Sequence, residues 1–203
     1  MVKRNFLKNI NILLFIGILL MNVNISAQNY ANEMFMNENE IVNIDASKIE
    51  FPKSNKKSIL IYAEQKNDTI FSIFIKNNLN ENLILVPQDN SLYLIQEALD
   101  EKKTWKPIEF FGYSTCGNSY DRKLDFKENQ IVELSSKKYN GNFNTKIRFK
   151  LLLNNKIYYS NEINSNINNS KFKKSDWFFK FSDIYKGQSK KEIENWLFLN
   201  KSP

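Results

Sequence analysis

Histidine is absent from this 203-residue chain, and cysteine occurs once, at Cys116. The first absence removes Ser-His-Asp and Cys-His nucleophile pairs and every histidine-based metal site. The second removes an intrachain disulfide and a thiolate metal cluster. No catalytic residue, metal ligand or cofactor is therefore assigned from the sequence. The five glycines form neither a P-loop nor a GxGxxG phosphate cradle. Arginine is nearly missing, with Arg4, Arg122 and Arg148 alone. A nucleic-acid binder gathers arginine for bidentate phosphate and base contacts. Here the positive charge is scattered lysine, so no nucleic-acid partner is expected.

Asn, Ile, Lys, Phe and Tyr are abundant instead, and all five share A/T-rich codons. The formal charge of +7, from 29 basic and 22 acidic residues, follows that bias and says little about an anionic partner. Hydrophobic residues at 42% and aromatics at 14% exclude a disordered or collagen-like chain.

The N-terminus carries Lys3, Arg4 and Lys8. A 12-residue apolar run follows at 10–21 (INILLFIGILLM), broken by Asn11, and Asn24-Ile25-Ser26-Ala27 ends in small residues before Gln28. This is the layout of a secretory signal peptide over 1–27. The run is short for a ~30 Å hydrocarbon core, an uncleaved N-terminal anchor being the alternative. No cysteine follows it, so no lipoprotein-type lipid anchor is expected. The reading is an exported protein, periplasmic or extracellular, cleaved near Ala27 and without stable membrane insertion afterwards. Cleavage leaves 203 less 27, or 176 residues, and 26 basic against 22 acidic groups, a net of +4. That length suits one domain needing no disulfide or metal staple.

Residues 28–57 are polar, first acidic and then lysine-rich, and read as a linker with a short strand near 41–44. From 58 the pattern changes. The runs 58–65 (SILIYAEQ) and 69–76 (TIFSIFIK) are split by Lys66-Asn67-Asp68, a hairpin signal. Phe71, Ile73 and Ile75 alternate onto one face, predicting a half-buried strand. Further strand candidates lie at 83–87, 91–98 (with helix as the alternative), 104–111 and 130–135. Pro107 makes 104–111 an edge. The clearest hairpin pairs 144–153 with 156–162 about Asn154-Asn155, both tolerant of positive φ. Seven or eight strands with turns every 8–12 residues over about 58–163 predict an all-β fold, an antiparallel two-sheet sandwich, with the domain taken as 58–170. The extension 171–203 is aromatic-rich. In it, Ser189-Lys190-Lys191-Glu192 is a capping box, and Ile193, Trp196 and Leu197 share one face. They predict a short C-terminal helix over 190–199, too short to stand alone and so docked on its own domain or on a partner.

Cys116 sits in the turn-rich loop 112–122 with no histidine to act as its base, and reads as a free thiol, with pairing between chains as the alternative. Glu109, Asp121 and Asp125 flank that loop; any chain with 22 acids offers such pairs. Trp105, Phe110, Phe111, Tyr113 and Tyr120 gather around it, with Tyr113 and Tyr120 expected to be the exposed members. The hairpin offers more. Its register sets Lys150 opposite Tyr159 and Arg148 opposite Asn161. It places Lys146, Arg148 and Lys150 on one face and Ile147, Phe149 and Leu151 on the other. Lys146, Arg148, Lys150 and Tyr159 are the candidate ligand-binding residues, a basic strip with a ring for an anionic or sugar ligand. A plain solvated sheet face is the alternative.

Residues 58–172 resemble the small exported immunoglobulin-like sandwich proteins of bacteria. The resemblance rests on Trp105-Lys106-Pro107-Ile108-Glu109, Ser114-Thr115-Cys116-Gly117-Asn118-Ser119-Tyr120, Thr145-Lys146-Ile147-Arg148-Phe149-Lys150-Leu151 and Tyr158-Tyr159-Ser160-Asn161-Glu162. It implies an immunoglobulin-like topology and no particular activity. The chain departs from antibody-type domains in lacking their paired cysteines. The expected function is an exported, non-enzymatic binding or envelope-associated module with a protein or glycan partner. A small secreted carboxylate-dependent hydrolase and an exported enzyme inhibitor are the alternatives. N-terminal sequencing of the exported protein is expected to begin near Gln28; a start at Met1 in the membrane fraction would contradict cleavage.

Overall fold

A computed structural model describes residues 33–46, 49, 51 and 57–203. The signal peptide over 1–27, its cleavage site at Ala27, and Lys53 and Lys56 lie outside the described residues. No helix among the described residues is long and apolar enough to cross a membrane.

The fold is mostly β, with two short helices at the end. One antiparallel sheet has four strands in the order β2 (Asn39–Asn43), β10 (Ile131–Lys137), β4 (Ile70–Asn77), β3 (Ile59–Gln65). The other has five. β11 (Phe143–Leu153) lies at its centre and pairs on one side with β6 (Leu94–Leu99), beyond which lies β7 (Trp105–Pro107). On its other side β11 pairs first with β13 (Ile163–Ile167) and then with β12 (Lys156–Tyr159), which share that edge. β5 (Leu83–Leu85) and β9 (Leu124–Phe126) form a separate antiparallel pair. β1 (Phe35–Met36) and β8 (Glu109–Phe110) are the one parallel pairing of named strands, two residues long.

The inner faces of the two sheets share an apolar core. Phe71, Ile73 and Ile75 from β4 meet Ile147, Phe149 and Leu151 from β11, all 2% exposed or less. The Phe71 and Phe149 rings cross edge to face at 5.6 Å. β4 is not the half-buried strand that its alternation suggested. Its other face is covered as well, with Phe74 packed against Ala46 and Ile131, and Ser72 donating to Glu133 at 3.1 Å. The cover includes residues from the stretch read as a linker. That stretch also supplies β1 and the edge strand β2.

Side-chain amides close the corners where backbone partners run out. Asn39 donates to the Leu92 and Leu94 carbonyls at 3.1 and 3.2 Å and accepts from the Leu92 amide at 3.0 Å. Asn161 does the same for Ala63, accepting at 2.8 Å and donating at 2.9 Å. It therefore leaves the ladder: β11 and β12 pair as read at Lys150–Tyr159 and Leu152–Ile157, but Arg148 does not face Asn161. Fully buried Asn77 ties the end of β4 to the Glu81 and Phe126 carbonyls.

The second core lies on the outer face of the five-stranded sheet. Helix α1 (Asp176–Ile184) is capped by Ser175, and helix α2 (Lys190–Leu197) by the Ser189–Glu192 box. Together they bury Phe178, Ile193 and Leu197 against Ile95, Phe110, Phe111 and Leu152. The Phe111 amide donates to the Leu197 carbonyl at 2.8 Å, so the terminal helix docks on its own sheet. Replacing Phe149 by Ala is expected to cost ~3–5 kcal/mol of stability by chemical denaturation, as for a buried ring. A loss below about 1 kcal/mol would contradict this placement of the core.

Candidate functional site

The basic strip is dispersed by the fold. Lys146 is exposed and paired with Glu162 at 2.7 Å. Arg148 donates from Nε and Nη2 to Glu97 Oε2 at 2.8 and 2.7 Å. Its guanidinium lies 4.3 Å from the Trp105 ring centre and 3.9 Å from that of Tyr159. Lys150 is the clear correction. It is 3% exposed, because the segment after α2 folds over it. Its ammonium donates to the Phe198 carbonyl at 2.8 Å and to the Asn200 side chain, and burial pushes its pKa down. The periodicity identified the face correctly, since Lys150 does point away from the inner core. What it did not carry was the tertiary cover over that face. Tyr159 stays 44% exposed. The four residues thus form a stacked ion-pair row and a buried anchor, and only Lys146 and Tyr159 are largely open.

The carboxylates do not form a cleft. Glu109 is 1% exposed, whereas Asp121 and Asp125 are exposed. Glu109 Oε1 accepts from Gln96 Nε2 at 2.9 Å and the Tyr139 hydroxyl at 2.8 Å, and Oε2 accepts from the Gln96 amide at 2.8 Å. Burial pushes its pKa up to about 7, against the pull of those hydrogen bonds and of Lys171. Lys171 is also buried, lies 3.9 Å from the Tyr139 ring centre and donates to the Glu33 carbonyl at 2.8 Å. Burial pulls its pKa down to about 8, with Glu109 opposing. This group is a polar strut inside the fold. Among the described residues no cluster of three or more His, Cys, Asp or Glu side chains gathers to hold a metal.

A concave site lies around the loop that carries Cys116. Gln88 clamps this loop. Its amide donates to the Gly112 carbonyl at 2.9 Å, while its Oε1 accepts from the Ser114 amide at 2.7 Å and lies 2.8 Å from the Tyr120 hydroxyl. Ser119 donates to Ser114 Oγ at 2.9 Å, tightening the 3₁₀ turn Gly117–Tyr120. Gly112 is needed where the loop leaves β8, because a Cβ there would fall 2.4 Å from Met36 Sδ and 2.8 Å from the Phe181 ring. The Cys116 thiol is free and exposed.

Tyr113 and Tyr120 from this loop, Tyr93 before β6, Leu152, Asn154 and Asn155 from the central hairpin, and Ser202 and Pro203 beyond α2 line a pocket of about 380 Å³. That volume falls within the ~300–1,000 Å³ of small-ligand sites. The two asparagines have φ of 49° and 58°, the left-handed turn that Asn favours. Tyr93 packs on Phe111 at 5.0 Å and on Tyr113 at 5.8 Å. Tyr113 is 9% exposed and Tyr120 half-buried, so Tyr113 is not the exposed ring expected from sequence. Its hydroxyl is buried without a partner, as is that of Tyr185. Burial, then the Tyr93, Tyr185 and Tyr120 hydroxyls, push the Tyr113 pKa well above the usual phenol value. Tyr185 is pushed up to about 12, by burial and then Tyr120. All remain protonated donors near neutral pH. A smaller apolar cavity of about 100 Å³ shares Tyr93, Leu152 and Asn154 with this pocket. Sequence reasoning picked out the loop and the Asn-Asn turn separately but not Tyr93, which had no local signal. Nothing in the sequence joined these four separate segments.

No family model, curated protein or solved structure matches the chain.

The strut gives a pH dependence with a definite sign. The folded pKa of Glu109 lies above its ordinary 4.5, so folding favours the protonated acid. That stabilisation is complete below about 4.5 and is lost as pH rises through about 7, an effect on the order of 3 kcal/mol. Lys171 acts in a separate window, with stability lost as pH falls from 10.5 through about 8. Thermal melts between pH 5 and 7 should show falling stability, and Glu109→Gln should flatten that slope. An unchanged slope in the variant would contradict the assignment.

Proposed function

We propose that this chain is an exported, non-enzymatic binding module built on an immunoglobulin-like sandwich, and that the tyrosine-lined pocket is its recognition site. The pocket carries the reading. It is concave, and tyrosine, asparagine and serine side chains line it, the combination that binding loops use for rigid contact area and adaptable hydrogen bonds. The Gln88 clamp holds its loop against the body, which favours a preformed pocket over the protruding loop of an inhibitor.

The hydrolase alternative requires two carboxylates flanking a cleft. No Asp or Glu side chain lines the pocket, and the oxygens of Glu109 are engaged inside the fold. Glu38 and Glu40 line a separate cavity of about 390 Å³, but Glu38 is paired with Lys137 at 3.1 Å and Glu40 accepts from Asn90 at 3.0 Å. The immunoglobulin-like topology is supported by two antiparallel sheets of four and five strands, with chain crossings between them after β4, β7 and β10. Export rests on the leader at 1–27.

The test is a small-molecule NMR screen on the exported protein. Bound molecules are expected to shift the ring signals of Tyr93, Tyr113 and Tyr120, and Tyr93→Ala is expected to remove those shifts while the protein stays folded. Hits that map elsewhere, or turnover of glycoside or peptide substrates, would contradict the reading.

A further inference from the structure

We infer that the exposed side of helix α1 rests reversibly on an anionic phospholipid surface, with Trp177 and Ile184 at the lipid interface and neighbouring lysines over its headgroups. The inference is independent of the pocket and shares only the export of the chain with the reading above. Eight large apolar side chains are exposed among the described residues, and three of them, Trp177, Phe179 and Ile184, stand on the nine residues of α1. Single exposed apolar residues are ordinary on a folded surface, whereas their concentration on one short helix marks an interaction site. Trp177, Lys180 and Ile184 follow at i, i+3 and i+7 and share one side of the helix, while Phe178 is the residue that α1 buries. Phe179 lies on the adjoining side with Asp176 and Asp183, all three exposed. Phe35 of β1 adjoins the first side, its ring crossing that of Trp177 edge to face at 6.0 Å.

Charge selects the occupant. From Lys173 to Lys191 the chain carries six lysines against two aspartates, Asp176 and Asp183. Among the described residues one of the six is ion-paired, Lys174 with Glu194 at 2.5 Å. Lys180 holds its ammonium 4.8 Å from the Trp177 ring centre, so a cation lies within the apolar patch itself. Asp176 occupies the first turn of α1, where the helix dipole favours it, and Glu192 accepts from Ser189 at the start of α2. Asp183 is the opposing charge that remains. A tryptophan beside a lysine, with further lysines in the flanks, is the composition of helices that lie in the headgroup layer. Anionic lipid attracts such lysines over about a Debye length. A nine-residue helix is about 14 Å long and about 10 Å wide, a footprint of roughly 140 Å². A stable protein partner or a second copy takes ~800 Å² per side. A bilayer needs no matched surface, so a small patch with adjacent charge suffices for reversible contact.

The route of the chain brings this patch to a membrane. The apolar run 10–21 enters the bilayer during export and ends 12 residues before Glu33, with Phe35 and its partner Trp177 at the start of the described fold. That length of chain spans at most ~43 Å when fully extended. The patch therefore enters the compartment within that distance of a lipid surface.

The test is co-sedimentation of the exported protein with vesicles of phosphatidylglycerol and phosphatidylethanolamine, against vesicles of phosphatidylcholine alone. Half of the protein is expected on the anionic vesicles at ~0.1–1 mM lipid, the affinity of a single acyl chain or somewhat weaker. Binding is expected to fall about tenfold in high salt and on phosphatidylcholine. A lipid-borne quencher is expected to dim the tryptophan emission, and Trp177→Phe is expected to remove most of that quenching. Trp177→Ser with Ile184→Ser is expected to lower binding about tenfold while the melting temperature holds, because both side chains are well exposed. Lys180→Glu leaves the apolar side chains in place, is expected to weaken binding several-fold, and serves as the check where the double variant loses its fold. Vesicle binding that these substitutions leave unchanged, equal binding to phosphatidylcholine, or no sedimentation at about 5 mM anionic lipid would overturn the inference. So would a concentration-dependent dimer that the double substitution abolishes, since the patch would then belong to a second copy. None of these results bears on the pocket, which the NMR screen reports separately.

Discussion

Side-chain amides, buried at Asn39, Asn77 and Gln96 and more open at Gln88 and Asn161, stand in for missing backbone partners, and the rest of the molecule is arranged around that substitution. Two sheets packed face to face leave unpaired N–H and C=O groups where an edge strand ends or the chain crosses between sheets, and each such group costs free energy if it is buried unpaired. Asn39 answers the N–H and C=O of Leu92, and Asn161 those of Ala63. Asn77 bridges from β4 to the strand pair outside the sheets, reaching the Phe126 carbonyl. Gln96 does the same across the interior, joining Glu109 to the Lys137 carbonyl at 2.7 Å. Gln88 repeats the device at the pocket, where it sets the loop that carries Tyr113 and Tyr120. Asparagine is abundant along the whole chain, but the positions of these few answer backbone demand.

The outer face of the five-stranded sheet shows what a terminal extension can do to a surface. Residues 171–203 turn half of an amphipathic sheet into a second core, seating an apolar layer on Ile95 and Leu152 and sealing Lys150 beneath the end of α2. A buried ammonium is tolerable because a carbonyl and an amide receive it and Glu97 lies 3.7 Å away. On the uncovered half, Arg148 satisfies Glu97 and stacks between Trp105 and Tyr159. That row braces β7, β6, β11 and β12 against one another and leaves the cation little capacity for a ligand. The open pocket lies elsewhere, where the hairpin tip, the clamped loop and Tyr93 meet.

Local signals in the sequence carried the strands far and the site only in pieces. The β3–β4 and β11–β12 hairpins, the Lys150–Tyr159 register, the edge position of Pro107 and the Ser189 capping box were all legible. Each depends on residues within a turn or two of one another. β13 (INSNI) was missed because alternating asparagines mask a strand whose partner is the far end of β11. Helix α1 was missed because its aromatic density drowned the Ser175 cap. Of the residues 91–98, read as strand or helix, those from Leu94 onward form strand β6 through pairing with β11, which no local window contains. The burial of Lys150 and Tyr113 belongs to the same class, because both depend on segments distant in sequence. The pocket was out of reach for that reason: its rings and amides come from separate turns, and the orphaned hydroxyl exists only once they are assembled.

The most direct measurement is a crystal structure of the exported protein soaked with the molecules that the NMR screen returns. The expected result is a small molecule seated among Tyr93, Tyr120 and the Asn154–Asn155 turn. A soaked crystal with this pocket open to solvent and the molecule bound at another surface would contradict the assignment of this pocket as the recognition site.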